Sequence, residues 1–408
     1  MLKRIAIADV RLGMFVQELC GSWMEHPFWR TRFVLTDPRD IERLRQSSVR
    51  ELWIDASQGL DVEDAASPVT TVAQAEREAT QRLAPVAQAP SSPIQVELRE
   101  ELSAARRIVA DARPQIMSMF NEARLGKAVD VGSARDLVER IRGSIQRSPT
   151  AVLSVARLKR ADEYTFMHSV AVSGLMIALA HQLGLSESEV AEAGAAGLLH
   201  DLGKAKVPDA ILNKPAALTD SEFATMRQHP EIGYRMLADD PQAGESVLDV
   251  VLHHHEKMDG SGYPKRLPAE QISRLARMGA ICDVYDAITS NRPYKAGWDP
   301  AEAVRKMAEW SGGHFDPVLF QAFVKTVGIY PVGSLVRMES GRIGVVVEQS
   351  GSSLLTPRVK VFFSLRKQLR IAPQVIDLAA PSAHDRIVAR EDPAQWQFRD
   401  LETLWQPA

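Results

Sequence analysis

The sequence contains few cysteines and no strong excess of charge of either sign. Cys20 and Cys282 are the two cysteines among 408 residues and lie far apart, so no disulfide framework is predicted. The formal net charge of -3 provides no basic field for binding long nucleic acids, although it leaves room for a local basic pocket. We therefore expect a protein of the reducing cytoplasm that does not act on polymeric nucleic acid.

Long apolar runs are also missing. The longest run, residues 170–180, is too short to cross a bilayer. Near the N-terminus, Asp9 and Arg11 interrupt the chain before an apolar segment of signal-peptide length can form. The sequence thus predicts neither a membrane segment nor an export signal.

Changes in composition predict several segments, since 408 residues exceed the usual size of a single core. They are a small α/β domain (1–65), a linker rich in Ala, Ser, Pro, Thr and Gln (66–95), a helical connector (96–149), a helical catalytic domain (150–330), a small β unit (331–380) and a polar tail (381–408). The predicted fold class is mainly α, with a small α/β domain before the helices and a small β unit after them.

The connector contains two amphipathic helical patterns, over residues 96–124 and 133–147. The favoured interpretation is that both helices pack on the catalytic domain. The alternative is a coiled coil that joins two chains as a homodimer, although the heptads are short for that role.

Three successive histidines end an apolar helical pattern. Val247 and Val251 lie on the same helix face as His254 and His255, whereas His253 falls off that face. Each buried imidazole would need a polar partner, and a metal ion can bind several imidazole nitrogens at once. The pattern therefore predicts His254 and His255 as metal ligands.

Further candidate ligands occur in the same helical region. They are His168, His200, Asp201, His229 and Asp283. A single histidine on an apolar face is more often a packed core residue, but this number of histidines and aspartates favours metal binding. Nitrogen and oxygen ligands suit iron, manganese and zinc. Seven ligands are too many for one ion, so we expect a dinuclear site with Asp201 bridging two ions.

Two neighbouring metals are a common apparatus for phosphodiester hydrolysis, because they activate water and offset charge on the leaving oxygen. Asp201 and Lys204 are the predicted catalytic residues, and Lys204 would also contact a phosphate oxygen. Arg292 and Lys295 would bind further phosphate. Asp286 is placed with the substrate-side residues, although orienting a histidine is favoured over a role as ligand or helix cap.

The segments LHDLGKAKVPDAILNKPAALT, HHEKMDGSGYP, CDVYDAITSNRPYK and FDP resemble the motifs of the HD-GYP domain family over residues 150–330. The resemblance implies an all-helical, metal-dependent phosphohydrolase of the HD superfamily that hydrolyses cyclic di-GMP to pGpG or on to GMP. It implies the same seven metal ligands and phosphate contacts from Lys204, Arg292 and Lys295. It also gives Tyr263, in the Gly262–Pro264 turn, a role towards substrate or a partner.

Two further features bear on this resemblance. Some family members bind a third metal through a Glu one turn before the first histidine ligand. That position is Tyr164 here, with Glu163 one residue away, which argues against a third metal. The N-terminal segments LGMFV, GSW and PF resemble the accessory domain often found ahead of this catalytic domain.

The leading hypothesis is a cytoplasmic bacterial phosphodiesterase in which a metal-activated hydroxide attacks phosphorus in cyclic di-GMP. The alternative is a catalytically weak signalling module that binds a cyclic dinucleotide or contacts a signalling protein through the Gly262–Pro264 turn. A third hypothesis is a dimetal enzyme that acts on another nucleotide or as an oxygenase. The complete ligand set favours the enzyme.

Overall fold

The computed structural model describes residues 1–20, 28, 32–47, 49–62, 67–87, 98–148, 151–153, 164–214, 216, 218–290, 297–350, 353–396, 398 and 400–405. Helices form most of this part of the chain, with one small antiparallel sheet near each end. The predicted fold class, mainly α with small β-containing units, is confirmed. Within the described ranges, no helix is both long and apolar enough to cross a membrane.

The N-terminal domain is a five-stranded sheet in the order β3-β2-β4-β1-β5. Its strands are β1 (Leu2–Ala6), β2 (Phe15–Leu19), β3 (Phe33–Val34), β4 (Glu51–Asp55) and β5 (Thr70–Thr71). The Pro38–Gln46 helix begins where the Asp37 carboxylate accepts the Arg39 backbone N–H. Apolar side chains from alternate strand positions form a separate core, including Ile5, Val16 and Ile54.

The predicted linker over residues 66–95 is wrong in its central part, which forms the Val72–Ala87 helix. Ala75 and Ala79 lie one turn apart on this helix and are buried. Arg82 Nη1 donates to three carbonyl oxygens at the end of the Pro300–Trp310 helix and just beyond it, at 2.6, 2.9 and 3.0 Å. An alanine-rich composition suits a helix as well as a linker. The one-turn spacing of the buried alanines distinguishes this helix from a linker.

The connector and the catalytic region share one helical core. Its helices are Leu98–Leu125, Val131–Arg147, Tyr164–Gln182, Glu187–Leu199, Asp209–Leu212, Asp220–Met226, His229–Leu237, Glu245–His253, Arg274–Thr289, Pro300–Trp310 and Pro317–Val327, with short 3-10 segments at Leu202–Lys206 and Ala269–Gln271. A further 3-10 segment, Ile7–Asp9, lies in the N-terminal domain. Leu102 and Leu137 from the connector are buried in this core. The favoured interpretation, that the connector helices pack on the catalytic domain, is confirmed.

The C-terminal sheet has the order β10-β6-β7-β8-β9. Its strands are β6 (Leu335–Met338), β7 (Arg342–Glu348), β8 (Arg358–Ser364), β9 (Leu369–Asp377) and β10 (Ile387–Arg390). The separate tail predicted from residue 381 is wrong, because β10 pairs with β6 and the Pro393–Trp396 and Leu401–Trp405 helices follow it. Trp405 is buried in one of the two cores of this unit, so the tail completes the β unit.

Candidate metal centre

Five helical segments bring the seven predicted ligands together in the helical core. His168 lies within the Tyr164–Gln182 helix and Asp283 within the Arg274–Thr289 helix, while the other five ligands lie at helix ends. All seven side chains belong to residues that are at most 8% exposed.

Gly203 permits one close approach, since a Cβ at that position would lie 1.9 Å from the carbonyl oxygen of His229. The segment after Asp201 can therefore pack directly against the start of the His229–Leu237 helix.

The ligand atoms form two groups. Asp201, His229, His254 and His255 make one group, and His168, His200 and Asp283 make the other, with the ligand atoms of each group within 4.8 Å of one another. Asp201 joins the two groups through its two oxygens. Its Oδ1 lies 3.2 Å from His229 Nε2, and its Oδ2 lies 3.4 Å from the Nε2 atoms of both His168 and His200. This is the geometry expected of a carboxylate that bridges two ions.

Asp283 extends the second group. Its Oδ1 lies 3.1 Å from His168 Nε2 and 3.8 Å from His200 Nε2, whereas its Oδ2 lies 3.9 Å from His255 Nδ1. The two groups are therefore adjacent, with both carboxylates between the imidazoles.

Hydrogen bonds outside the centre determine which ring nitrogen faces inward. Nδ1 of His200 is 2.8 Å from the carbonyl oxygen of Gly197, and Nδ1 of His229 is 2.8 Å from that of Met226. Nδ1 of His254 contacts two carbonyl oxygens at 3.1 Å. Because a carbonyl oxygen can only accept, Nδ1 carries a proton in each ring and Nε2 is the nitrogen that faces inward.

The inward atoms lack other partners. His200 Nε2, Asp201 Oδ1, His255 Nε2 and Asp283 Oδ2 are buried without a hydrogen-bond partner among the described residues. Nε2 of His229 and Nε2 of His254 face each other at 3.3 Å. Buried unsatisfied polar atoms each cost about 1–3 kcal/mol, and metal binding would remove that cost. The side chains present therefore fit a pair of divalent cations.

Burial and neighbouring charges shift the pKa values of the predicted ligands in different directions. Burial, together with His200 and His229, lowers the pKa of His254 to about 3, and burial holds the pKa of His255 well below its usual range. Burial opposes the charge of Asp201, but Lys204 and His200 hold its pKa well below the usual value. Despite burial, Asp201 and Asp283 raise the pKa of His200 to about 10. A metal ion at His200 would take the place of a proton on this ring.

Asp286 contacts a predicted ligand from outside the centre. Its Oδ2 lies 2.6 Å from His168 Nδ1, and the residue is 2% exposed. This contact fits the histidine-orienting role and does not place Asp286 on the substrate side. His253 is in neither ligand group, and its Nδ1 lies 2.8 Å from Asp249 Oδ1.

Glu256 holds the segment that directly follows the Gly262–Pro264 turn. The buried Glu256 carboxylate accepts backbone N–H groups of Lys265, Arg266 and Leu267 at 2.6, 3.1 and 3.0 Å. Tyr263 stacks on His255 with 4.6 Å between ring centroids. The Gly262–Pro264 turn thus forms a wall of the site beside His255.

The remaining predicted site residues have different outcomes. Lys204 Nζ donates to Asp201 Oδ2, so its cation lies at the centre. Arg292, Lys295 and Glu163 lie outside the described residues. Tyr164 begins the helix that carries His168.

Sequence reasoning missed Arg227, whose guanidinium carbon lies 4.6 Å from the Tyr263 ring centroid. Its position two residues before His229 was the only signal in the sequence. The spacing within one helix could not predict this contact with a distant turn.

The helical core and its histidine–aspartate centre define an HD domain protein. The chain belongs to the HD domain family, whose sequence pattern matches residues 146–319, and a domain of unknown function (DUF3391) matches residues 2–134. Family membership implies that the chain binds divalent metal.

Known relatives match this chain over different lengths. Cyclic di-GMP phosphodiesterase PA4108 of Pseudomonas aeruginosa is 57% identical over 407 residues, covering 99% of this chain and 96% of that protein. The cyclic di-GMP phosphodiesterase response regulator RpfG of Xanthomonas campestris pv. campestris is 41% identical over 42% of this chain and 47% of its own. The 3'3'-cGAMP-specific phosphodiesterase 2 of Vibrio cholerae is 39% identical over 36% of this chain and 28% of its own.

A solved structure, Bd1817, an HDG"Y"P protein from Bdellovibrio bacteriovorus, covers 79% of this chain and 98% of its own. The sequence identity is 19% and the TM-score is 0.46.

Proposed function

We propose that this chain is a metal-dependent phosphodiesterase that hydrolyses cyclic di-GMP to pGpG, GMP or both. One observation carries the proposal. Two groups of inward-facing ligands share the carboxylate of Asp201, and they do so in a chain 57% identical over nearly its whole length to a cyclic di-GMP phosphodiesterase.

Two divalent ions would be held by seven side chains. His168, His200, Asp201 and Asp283 would hold one, and Asp201, His229, His254 and His255 the other. Iron or manganese suits this nitrogen and oxygen set, which contains no thiolate. When bound, two such ions supply an acidified water and positive charge beside the phosphate oxygens.

The surrounding residues prepare the centre for a phosphodiester. Lys204 lies at Asp201 and provides a cation for a non-bridging phosphate oxygen. Asp286 keeps the Nδ1 proton of His168 in place, which leaves Nε2 free to act as a ligand. Glu256 fixes the segment directly after the turn that carries Tyr263. Arg292 and Lys295 are proposed as further phosphate contacts.

A catalytically weak module that contacts a partner through the Gly262–Pro264 turn is the less favoured function. Tyr263 is 6% exposed and stacks on His255, so little of its ring is accessible to another protein. A cytoplasmic location and a homodimer remain predictions from the sequence.

The test is incubation of the purified protein, reconstituted with iron or manganese, with cyclic di-GMP, 3'3'-cGAMP and cyclic di-AMP. We expect hydrolysis of cyclic di-GMP, and loss of both turnover and metal in the double variant His200→Ala, Asp201→Ala. His253→Ala is the matched control, because that histidine lies beside the centre but faces Asp249. Wild-type-like hydrolysis by the folded double variant, or a metallated wild type inactive on cyclic di-GMP, would contradict the proposal.

A further inference from the structure

A cation lies close to the proposed centre but outside the ligand set. The guanidinium carbon of Arg227 is 4.6 Å from the centroid of Tyr263, and the Tyr263 ring is stacked 4.6 Å from His255 at an interplanar angle of 24°. Arg227 follows the Asp220–Met226 helix and precedes His229 by two residues. Its charge is therefore two stacking contacts away from a proposed metal ligand.

The guanidinium N–H groups of Arg227 have no carboxylate partner among the described residues. Among the described residues, no carboxylate forms an ion pair with Arg227, whereas nearby cations are paired: Arg235 with Glu231 at 3.8 Å and Lys265 with Glu231 at 3.0 Å. Contact with an aromatic ring uses the flat face of a guanidinium and leaves its N–H groups in the plane. Those N–H groups match two oxygens of one phosphate.

The position of Arg227 decides which phosphate it could meet. In the proposed reaction, the scissile phosphate must lie at the two ligand groups, where Lys204 already contacts Asp201. A cyclic dinucleotide carries a second phosphate across its ring. Arg227 is outside the ligand groups and contacts Tyr263, which stacks on the ligand His255, so its guanidinium could serve a phosphate other than the one at the ligand groups.

We propose that Arg227 binds the phosphate that is not being cleaved, with Tyr263 as its supporting platform. The inference rests on the proposed function and adds a specificity residue to it. Arg227 would favour a substrate with two phosphates over a simple phosphodiester with one.

The test compares two substrates in the metal-reconstituted full chain. Arg227→Gln should raise KM for cyclic di-GMP by about 10- to 100-fold, the usual effect of losing hydrogen bonds to a charged group, with kcat changed by less than about threefold. Hydrolysis of bis(p-nitrophenyl) phosphate, which has one phosphate, should stay within about twofold of the wild type. Arg227→Lys keeps the charge without the planar fork and should give an intermediate KM.

Arg235→Gln is the matched control, because Arg235 is an exposed arginine on the following helix and pairs with Glu231. It should leave both substrates unchanged. Equal losses on both substrates in Arg227→Gln would show that Arg227 only supports the Tyr263 turn and would overturn the inference. An unchanged KM for cyclic di-GMP would also overturn it, while leaving the proposed function intact.

A different result identifies failure of the proposed function itself. In that case the wild type would hydrolyse bis(p-nitrophenyl) phosphate but not cyclic di-GMP, and the assignment of Arg227 would fall with the substrate. Should Arg227→Gln not fold, the KM of Arg227→Lys decides, because a wild-type value there would contradict bidentate phosphate binding.

Discussion

Removal of the charge of Asp286 should weaken metal binding without altering any ligand. Asp286 Oδ2 lies 2.6 Å from His168 Nδ1 in a buried environment. A hydrogen bond to an ionised acceptor is roughly twice as strong as a neutral one. Asp286→Asn preserves the size of the side chain and offers a neutral amide oxygen, whereas Asp286→Ala removes the acceptor altogether.

The magnitude follows from the role of such partners. Loss of a group that orients a histidine ligand typically costs about 10- to 100-fold in metal affinity or activity. At about 1.36 kcal/mol per factor of ten, this is roughly 1.4–2.7 kcal/mol. We expect about tenfold weaker metal binding for Asp286→Asn and a loss nearer 100-fold for Asp286→Ala.

The assay is competition for metal between the protein and a chelator of known affinity, with cyclic di-GMP hydrolysis measured on the same samples. Asp249→Asn is a matched control, since Asp249 contacts Nδ1 of His253, a histidine outside both ligand groups, at 2.8 Å. Wild-type metal affinity in Asp286→Ala, or an equal loss in Asp249→Asn, would refute an orienting role for Asp286.

Three other changes test how the rest of the chain supports the site. Glu256→Gln should lower kcat/KM on cyclic di-GMP by about tenfold with metal content unchanged, because it weakens the acceptor of three backbone N–H groups. Arg82→Met should lower the free energy of unfolding in urea by about 1–3 kcal/mol, because three helix-end carbonyls lose their donor; an unchanged value would contradict this. Burial opposes the charge of Glu101, but Arg147 and Ser144 lower its pKa below the unfolded value of 4.5. Ionised Glu101 thus stabilises the folded state above pH 4.5, and this stabilisation is lost as pH falls through the folded pKa. The free energy of unfolding of Glu101→Gln should therefore fall less in acid than that of the wild type.

Helical spacing predicted much of the site. Val247 and Val251 continue into His254 and His255, and the structure directs these histidines inward while His253 turns to Asp249. Spacing within one helix, however, carries no information on how five segments meet. The two-sided contact of Asp201 therefore emerges only in the folded structure, as does the stacking of Arg227 on Tyr263. The ligand roles themselves stay predictions.

The errors lie where composition is ambiguous. Residues 72–87 contain the small and polar residues of a linker, yet Ala75 and Ala79 are buried and Arg82 holds a neighbouring helix. Strand β10 is four residues long, and it pairs with β6, a strand about fifty residues earlier in the chain. Local sequence does not specify such a pairing.

The most direct test of the central claim is the number of metal ions per chain in His168→Ala and His229→Ala, measured beside the wild type together with cyclic di-GMP hydrolysis. Two ions that share Asp201 predict two ions in the wild type, one ion in each variant, and loss of hydrolysis in both. Full hydrolysis with one ion per chain, or two ions retained in both variants, would contradict the claim.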